Sequence, residues 1–167
     1  MKGKIIIRHL AFQLTAWAFF ACSSLAQVQQ HFEHLTIKNG LSHSVVYSIA
    51  QDKKGFMWFA TGDGGLNKYD GYQFTLFEND PSNENSLASN NVSKVFCDSK
   101  GNIWVGTWGS GLDKYNPVTE KFIHYKNDTS AKNSISHNNA QTLLEDKKGN
   151  LWIGTSGGGL NKLNPET

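Results

Sequence analysis

Three tryptophans, Trp58, Trp104 and Trp152, stand 46 and 48 residues apart, and a framework of other residues moves with them. Asp52, Asp98 and Asp146 keep the same spacings. So do Lys54, Lys100 and Lys148, then Gly55, Gly101 and Gly149, then Thr61, Thr107 and Thr155. Gly65-Leu66, Gly111-Leu112 and Gly159-Leu160 follow in step, and each unit opens with Leu41, Leu87 or Ile135, 11 positions before its aspartate. The two-residue difference in period has one location: Asp70 to Phe74 spans four positions and Asn116 to Phe122 spans six. A length change confined to one turn is what a repeated fold unit tolerates. A period of roughly 40–50 residues restricts such a chain to propeller blades or helical arrays.

Local pattern separates these two. Each unit reads as four short strands rich in aromatic and β-branched residues. The first strand is expected at 45–50, 92–97 and 140–145, and the second at 56–61, 103–107 and 151–155. The third is expected at 66–69, 112–115 and 160–163, and the fourth at 74–77 and 122–125, the third unit ending before its fourth strand. No segment sustains a 3.6-residue apolar stripe, so no helix is expected after the N-terminal segment. Asp-x-Lys-Gly between the first two strands is a turn in which Asp caps and Gly takes a positive φ. Ala60, Gly106 and Gly154 lie two residues beyond each tryptophan, on its side of the strand, where a small residue leaves room for a neighbouring sheet. The expected fold is all-β: four-stranded antiparallel blades of a β-propeller, about two and a half of them, with the Trp column between blades. That number is too small to close a ring of the usual four to eight, so the open edges point to an N-terminal fragment that is marginal or self-associating by itself.

The first 26 residues read differently. Lys2, Lys4 and Arg8 precede a mostly apolar run, Leu10 to Ala21, and Ser24-Leu25-Ala26 follows as a small-x-small site. This is the pattern of a secretory signal peptide, too short for a spanning helix. A membrane anchor or lipidation at Cys22 fits less well, because the Leu expected before a lipidated cysteine is missing. The organisation read from sequence is therefore a signal peptide at 1–26, a lead-in at 27–40, blades at 41–86 and 87–134, and a partial blade at 135–167. Mass spectrometry of the exported product is expected to find Gln27 as the first residue; an intact Met1 would refute cleavage. Only Cys97 remains after cleavage, so no intrachain disulfide forms, and it reads as a small strand residue. The net charge of +2 comes from scattered basic residues and gives no footprint for nucleic acid.

The glycine-rich stretch after each second strand invites comparison with a phosphate loop. Such a loop needs a helix N-terminus after its glycines. Here a strand-like Leu-Asn-Lys-Tyr follows, and three copies make little sense for one nucleotide, so these are hairpin glycines. Neither catalytic grouping nor metal-ligand spacing stands out, and no cofactor is implied. Asp52, Gly55, Trp58, Thr61, Gly65 and their counterparts Asp98, Gly101, Trp104, Thr107, Gly111, Asp146, Gly149, Trp152, Thr155 and Gly159 read as structural. The turns between second and third strands share one face with the long Asn- and Ser-rich connections between units. Trp108 stands in such a turn where the other units have Gly62 and Ser156, and the turn does not need a ring there. It is a candidate for stacking on a sugar, with Asp63, Asn90, Asn138 and the repeat-equivalent His43 and His137 as neighbouring polar candidates.

The motif Trp152-Ile153-Gly154-Thr155-x-x-Gly158-Gly159-Leu160, with its copies from Leu41 and Leu87, resembles the two-component regulator propeller repeat. Ala60 replaces a glycine and Ser110 interrupts a glycine pair, both small departures. The resemblance implies a periplasmic sensor region of Bacteroidota hybrid histidine kinases. It also implies glycan fragments as the ligand class, with further blades and downstream kinase domains as partners in a longer protein. The chain itself is then expected to have no enzymatic activity. A secreted protein-interaction propeller and a propeller hydrolase or lyase fragment are the alternatives.

Overall fold

The computed structural model describes residues 30–165, so the proposed signal peptide lies outside the described residues. The chain divides into two units, Met1–His34 and Leu35–Thr167. In the first, residues 30–34 are exposed and without regular secondary structure. The second unit holds three antiparallel sheets. The first comprises β1 (Val46–Gln51), β2 (Met57–Thr61), β3 (Leu66–Tyr69) and β4 (Phe74–Phe77). The second comprises β5 (Val92–Cys97), β6 (Ile103–Thr107), β7 (Leu112–Asn116) and β8 (Lys121–Tyr125). The third has β9 (Ala140–Glu145), β10 (Leu151–Thr155) and β11 (Gly159–Leu163). Every sheet is a simple meander in chain order. These strands coincide with the sequence pattern to within a residue at each end.

One helical element departs from expectation, a single 3-10 turn at Ile37–Asn39. Its cause is local chemistry, not periodicity. Asn39 Oδ1 accepts from Thr36 N at 2.9 Å, Thr36 Oγ1 accepts from Lys38 N at 3.2 Å, and Gly40 closes the turn at φ +103°. Three residues are too few to show a helical stripe.

The same irregularity recurs in all three first strands. Register slips by one residue between Val46 and Ser48, between Val92 and Lys94, and between Ala140 and Thr142. A bulge at a fixed place in each unit increases twist and re-aims side chains. The extra residue of the second sheet, Ser93, donates its Oγ to Ala140 O in the third.

The core lies between sheets. Trp58, Ala60 and Leu66 of the first sheet pack against Leu87 and against Val92, Val95, Ile103 and Val105 of the second. Trp104 and Leu112 of the second sheet pack in the same way against Ile135, Ala140, Leu143, Leu151 and Ile153. Trp58 and Trp104 are fully buried, whereas Trp152, at the end of the row, is half-buried. The apolar faces at both ends of the row are open: Ile49 is 58% exposed and Leu160 65%, while their counterparts Val95 and Leu112 are each 1% exposed. A Cβ on Gly106 would lie 2.5 Å from Ala140 O, so its absence lets the third sheet's backbone approach.

Each tryptophan is fixed in two ways, and the first two tryptophans in a third. Its indole N–H donates to the aspartate six residues earlier: Trp58 to Asp52 at 2.9 Å, Trp104 to Asp98 at 2.9 Å, Trp152 to Asp146 at 3.0 Å. Its cross-strand neighbour is a lysine, Lys68, Lys114 or Lys162, whose ammonium sits 5.8, 5.2 or 5.6 Å from the ring centroid. In the first two sheets the fourth strand adds an aromatic ring, Phe77 or Tyr125, 5.7 Å away.

Candidate ligand-binding face

Successive strands alternate direction, so turns 62–65, 108–111 and 156–158 emerge at one end of their sheets together with connections 78–91 and 126–139. The threonines that recur in each unit tie the turns. Thr61 Oγ1 donates to Gly65 O at 2.7 Å, Thr107 to Gly111 O at 2.9 Å and Thr155 to Gly159 O at 3.0 Å. Gly65 and Gly111 have φ of +73° and +90°, and a Cβ there would lie 2.4 and 2.3 Å from the carbonyl oxygens of Phe77 and Tyr125. Only glycine satisfies both conditions. The amides of the same two glycines donate to Asn90 O and Asn138 O, each at 2.8 Å. The glycine cluster therefore joins each sheet to the connection that leads to the next.

Both connections are built on one plan. Asp80 Oδ1 accepts from Ser82 N and Oγ at 2.9 and 2.7 Å, and Ser86 Oγ donates to Asp80 O at 3.1 Å. Asn79 Nδ2 donates to Leu87 O and its backbone N–H to Asn90 Oδ1, both at 2.7 Å. Asp128, Ser130, Ser134, Asn127 and Asn138 repeat these bonds. The Asn and Ser content that reads in sequence as capacity for sugar hydroxyls is thus largely engaged in holding the loops' own shape. Asn90 and Asn138 each give their side-chain oxygen to loop closure.

The other four candidate residues stand on the same end of the sheets. Trp108 is 41% exposed. Its backbone N–H donates to Asn91 O at 3.0 Å, which ties the turn to the 78–91 connection. Three residues on, the Gly111 N–H donates to the Asn138 carbonyl at 2.8 Å, so the same turn is also tied to the 126–139 connection. His137 Nδ1 accepts from Asn139 N and His43 Nδ1 from Val45 N, each at 3.1 Å, which leaves Nε2 of both rings as the donor. Asp63 is exposed at φ +61°, where the equivalent Gly109 and Gly157 have +89° and +115°. Aspartate is one of the few side chains that tolerates this left-handed region, so the turn keeps its shape without a glycine there. Among the described residues, no hydrogen bond joins any two of these six side chains, and no group of three His, Cys, Asp or Glu residues is placed to hold a metal ion.

Sequence reasoning missed a second structural position. The residue after each Gly-Leu pair, Asn67, Asp113 or Asn161, accepts the backbone N–H one residue past the start of its unit, at 3.1, 2.8 and 2.9 Å. In the outer units the asparagine also donates to Ser42 or Ser136 Oγ. The middle unit has Ala88 there, and the position becomes Asp113, fully buried and 2.6 Å from His124 Nδ1. Burial pushes the Asp113 carboxyl up, against the pull of His124 and the Ala88 amide. His124 Nε2 lies 2.9 Å from Glu84 O and so pins the 78–91 connection to the second sheet. The signal was available as one Asn-to-Asp change paired with loss of a serine. Burial likewise pushes up the thiol of Cys97, a half-buried strand residue beside Asp98.

Antiparallel meanders of four, four and three strands, stacked face to face through a column of tryptophans, have the architecture of consecutive β-propeller blades. The repeated unit matches the family model of the two component regulator propeller at residues 40–63, 86–109 and 134–157. The chain is 33% identical, with a TM-score of 0.75 over 80% of its length, to the extracellular domain of the hybrid two component system BT3049 from B. thetaiotaomicron. A second such domain, of BT4673 from the same organism, is 27% identical with a TM-score of 0.59 over 74% of this chain. Among curated proteins it is 40% identical over 78 residues to histidine kinase P4 of Formosa agariphila. The chain spans only 6% of that kinase and 19% and 17% of the two extracellular domains.

Proposed function

We propose that this chain is part of the exported, ligand-sensing propeller region of a two-component sensor, with glycan fragments as the ligand class and no chemistry of its own. Its similarity to extracellular domains of hybrid two-component systems supports export and a sensory role. In a longer protein, further blades would cover the open apolar faces, and the signal would pass to kinase domains beyond the propeller.

The observation that carries the binding site is Trp108. A large aromatic ring, 41% exposed, replaces glycine or serine on a turn whose fold needs neither ring nor bulk. Aromatic faces suit the apolar faces of sugar rings, and loops on a rigid sheet scaffold commonly carry binding. His43, His137 and Asp63 supply hydrogen-bonding groups on the same end; Asn90 and Asn138 contribute through their amide nitrogens. The test is titration calorimetry against a panel of oligosaccharides. Trp108→Ala is expected to weaken binding of the responsive sugar roughly tenfold or more, about 1.4 kcal/mol, with the melting temperature unchanged. Unchanged affinity would refute the site, and release of reducing ends during the titration would refute a purely sensory role.

A further inference from the structure

The middle unit places ionisable groups where the first unit has neutral ones. Asn67 of β3 lies opposite Leu76 of β4; the equivalent pair in the second sheet is Asp113 of β7 opposite His124 of β8. Asp113 is fully buried, and His124 keeps 22% of its side chain exposed. Oδ2 of Asp113 accepts from Ala88 N at 2.8 Å, and Oδ1 lies 2.6 Å from His124 Nδ1. The other ring nitrogen, Nε2, lies 2.9 Å from the carbonyl oxygen of Glu84, an exposed residue of the 78–91 connection.

Both partners of the ring are oxygen atoms, and that fixes the proton count. A carbonyl only accepts, so Nε2 must carry hydrogen to bond Glu84 O. A second hydrogen must lie between Nδ1 and Asp113 Oδ1, on one atom or the other. The pair therefore holds one proton more than an ionised aspartate beside a neutral imidazole, and it titrates as a unit. When that proton leaves, one of the two ring bonds must break. Asp113, buried and left with Ala88 N as its donor, would lose more than Glu84 O, which stands at the surface and can bond water instead. The remaining ring hydrogen thus stays on the Asp113 side, and the bond to Glu84 is the one given up. Burial, which pushes the Asp113 carboxyl up, favours retention of the shared proton.

We propose that Asp113 and His124 form a proton-operated latch: with the shared proton the ring holds the 78–91 connection at Glu84, and without it the connection comes free there. The latched form binds one more proton than the released one, so it dominates at low pH and gives way as pH rises through the range in which histidines titrate. The charged groups around the pair leave that sign unchanged. Lys126, just past β8, acts on Asp113 through space and favours its ionised form, while Val105 of β6 lies opposite it. Lys68, on the face of the first sheet that packs against the second, lies over the Phe56 and Trp58 rings at 4.2 and 5.8 Å. The connection itself carries Glu78, Asp80 and Glu84, of which Asp80 accepts from Ser82. Release is local, because Asn79 and Asn90 keep their own bonds, and its nearest reporter is the Phe122 N–H, which donates to Asn85 O at 2.9 Å. The same connection ends at Asn91, whose carbonyl accepts from Trp108 N, so the latch bears on how firmly that turn is backed.

The full chain is titrated from about pH 5 to about pH 8 with no sugar present, so the result is independent of the sugar-site reading. Nitrogen-15 NMR of the imidazoles follows His124, assigned through its own backbone resonances. Amide exchange, corrected for its intrinsic pH dependence, follows Phe122. Protection of the Phe122 amide is expected to fall roughly tenfold as pH rises, with the same midpoint as the His124 ring. The triple variant Ala88→Ser, Asp113→Asn, His124→Leu copies the first unit's Ser42, Asn67 and Leu76 and is expected to show no such fall. The measurements on the unaltered chain stand whether or not that variant folds. Corrected protection at Phe122 that is independent of pH, a change that follows His43 or His137 and not His124, or a folded variant that keeps the dependence would overturn the proposal.

Discussion

Trp104→Ala is expected to destabilise the chain by roughly 3–5 kcal/mol, and Trp152→Ala by less than half as much. The indole of Trp104 is fully buried between the second and third sheets, under Tyr125 and Lys114 and bonded to Asp98. Its removal leaves a void that two rigid sheets cannot collapse into, and strands the Asp98 carboxylate. Trp152 has the equivalent partners, Asp146 and Lys162, but a neighbouring sheet on one side only. Urea titration followed by far-ultraviolet circular dichroism measures both. Since total stability of a domain this size is of order 5–15 kcal/mol, the first variant should be close to unfolded at room temperature. Equal losses at the two positions would refute the role assigned to inter-sheet burial.

Asp98→Asn is expected to cost roughly 2–4 kcal/mol, because one buried carboxylate serves four donors. Its Oδ1 accepts from Lys100 N and Asn102 N at 3.0 and 2.8 Å, and its Oδ2 from Asn102 Nδ2 and Trp104 Nε1 at 2.7 and 2.9 Å. An amide turns two hydrogens toward groups that also donate. Burial alone would raise this carboxyl, but the bonds from Trp104, Asn102 and Lys100 outweigh it and hold the group below its ordinary range. Asp146 is held low as well, by Asn150 and Trp152. A depressed carboxyl adds stability above its unfolded value, and that contribution disappears as pH falls through the folded one. The melting temperature should therefore drop from about pH 5 downward, and drop less steeply in Asp98→Asn. A variant with an unaltered acid limb would show that Asp98 is not one of the groups responsible.

The strands were legible because each unit repeats the same alternation between the same turns, so three copies vote on each boundary. The face that carries Trp108 followed from counting strand directions. What stayed hidden were pairings between side chains whose spacing fits no single element. Asp52 and Trp58 meet only because a tight turn folds the second strand back beside the first. The bulge at Tyr47, Ser93 and Gln141 leaves no residue type in common, since backbone geometry and not side-chain chemistry sets it. The Asn- and Ser-rich connections were readable as polar but not as self-satisfied. Composition reports how many hydrogen-bonding groups a loop has, and only coordinates report which of them are already occupied.

The two faces of each sheet are unlike: one offers a tryptophan and a leucine, the other receives them with branched aliphatic residues. The interface is therefore heterologous and the row has a polarity. A chain emerging from its N-terminus always carries one uncovered leading surface, and each new repeat moves that surface forward by one unit without removing it. Only the arrival of the first sheet's opposite face, by ring closure or from outside, ends the exposure. Translation thus exposes the same sticky surface again and again, about once every repeat, so that speed of synthesis and access to chaperones bear on this architecture more than on a fold whose core closes once.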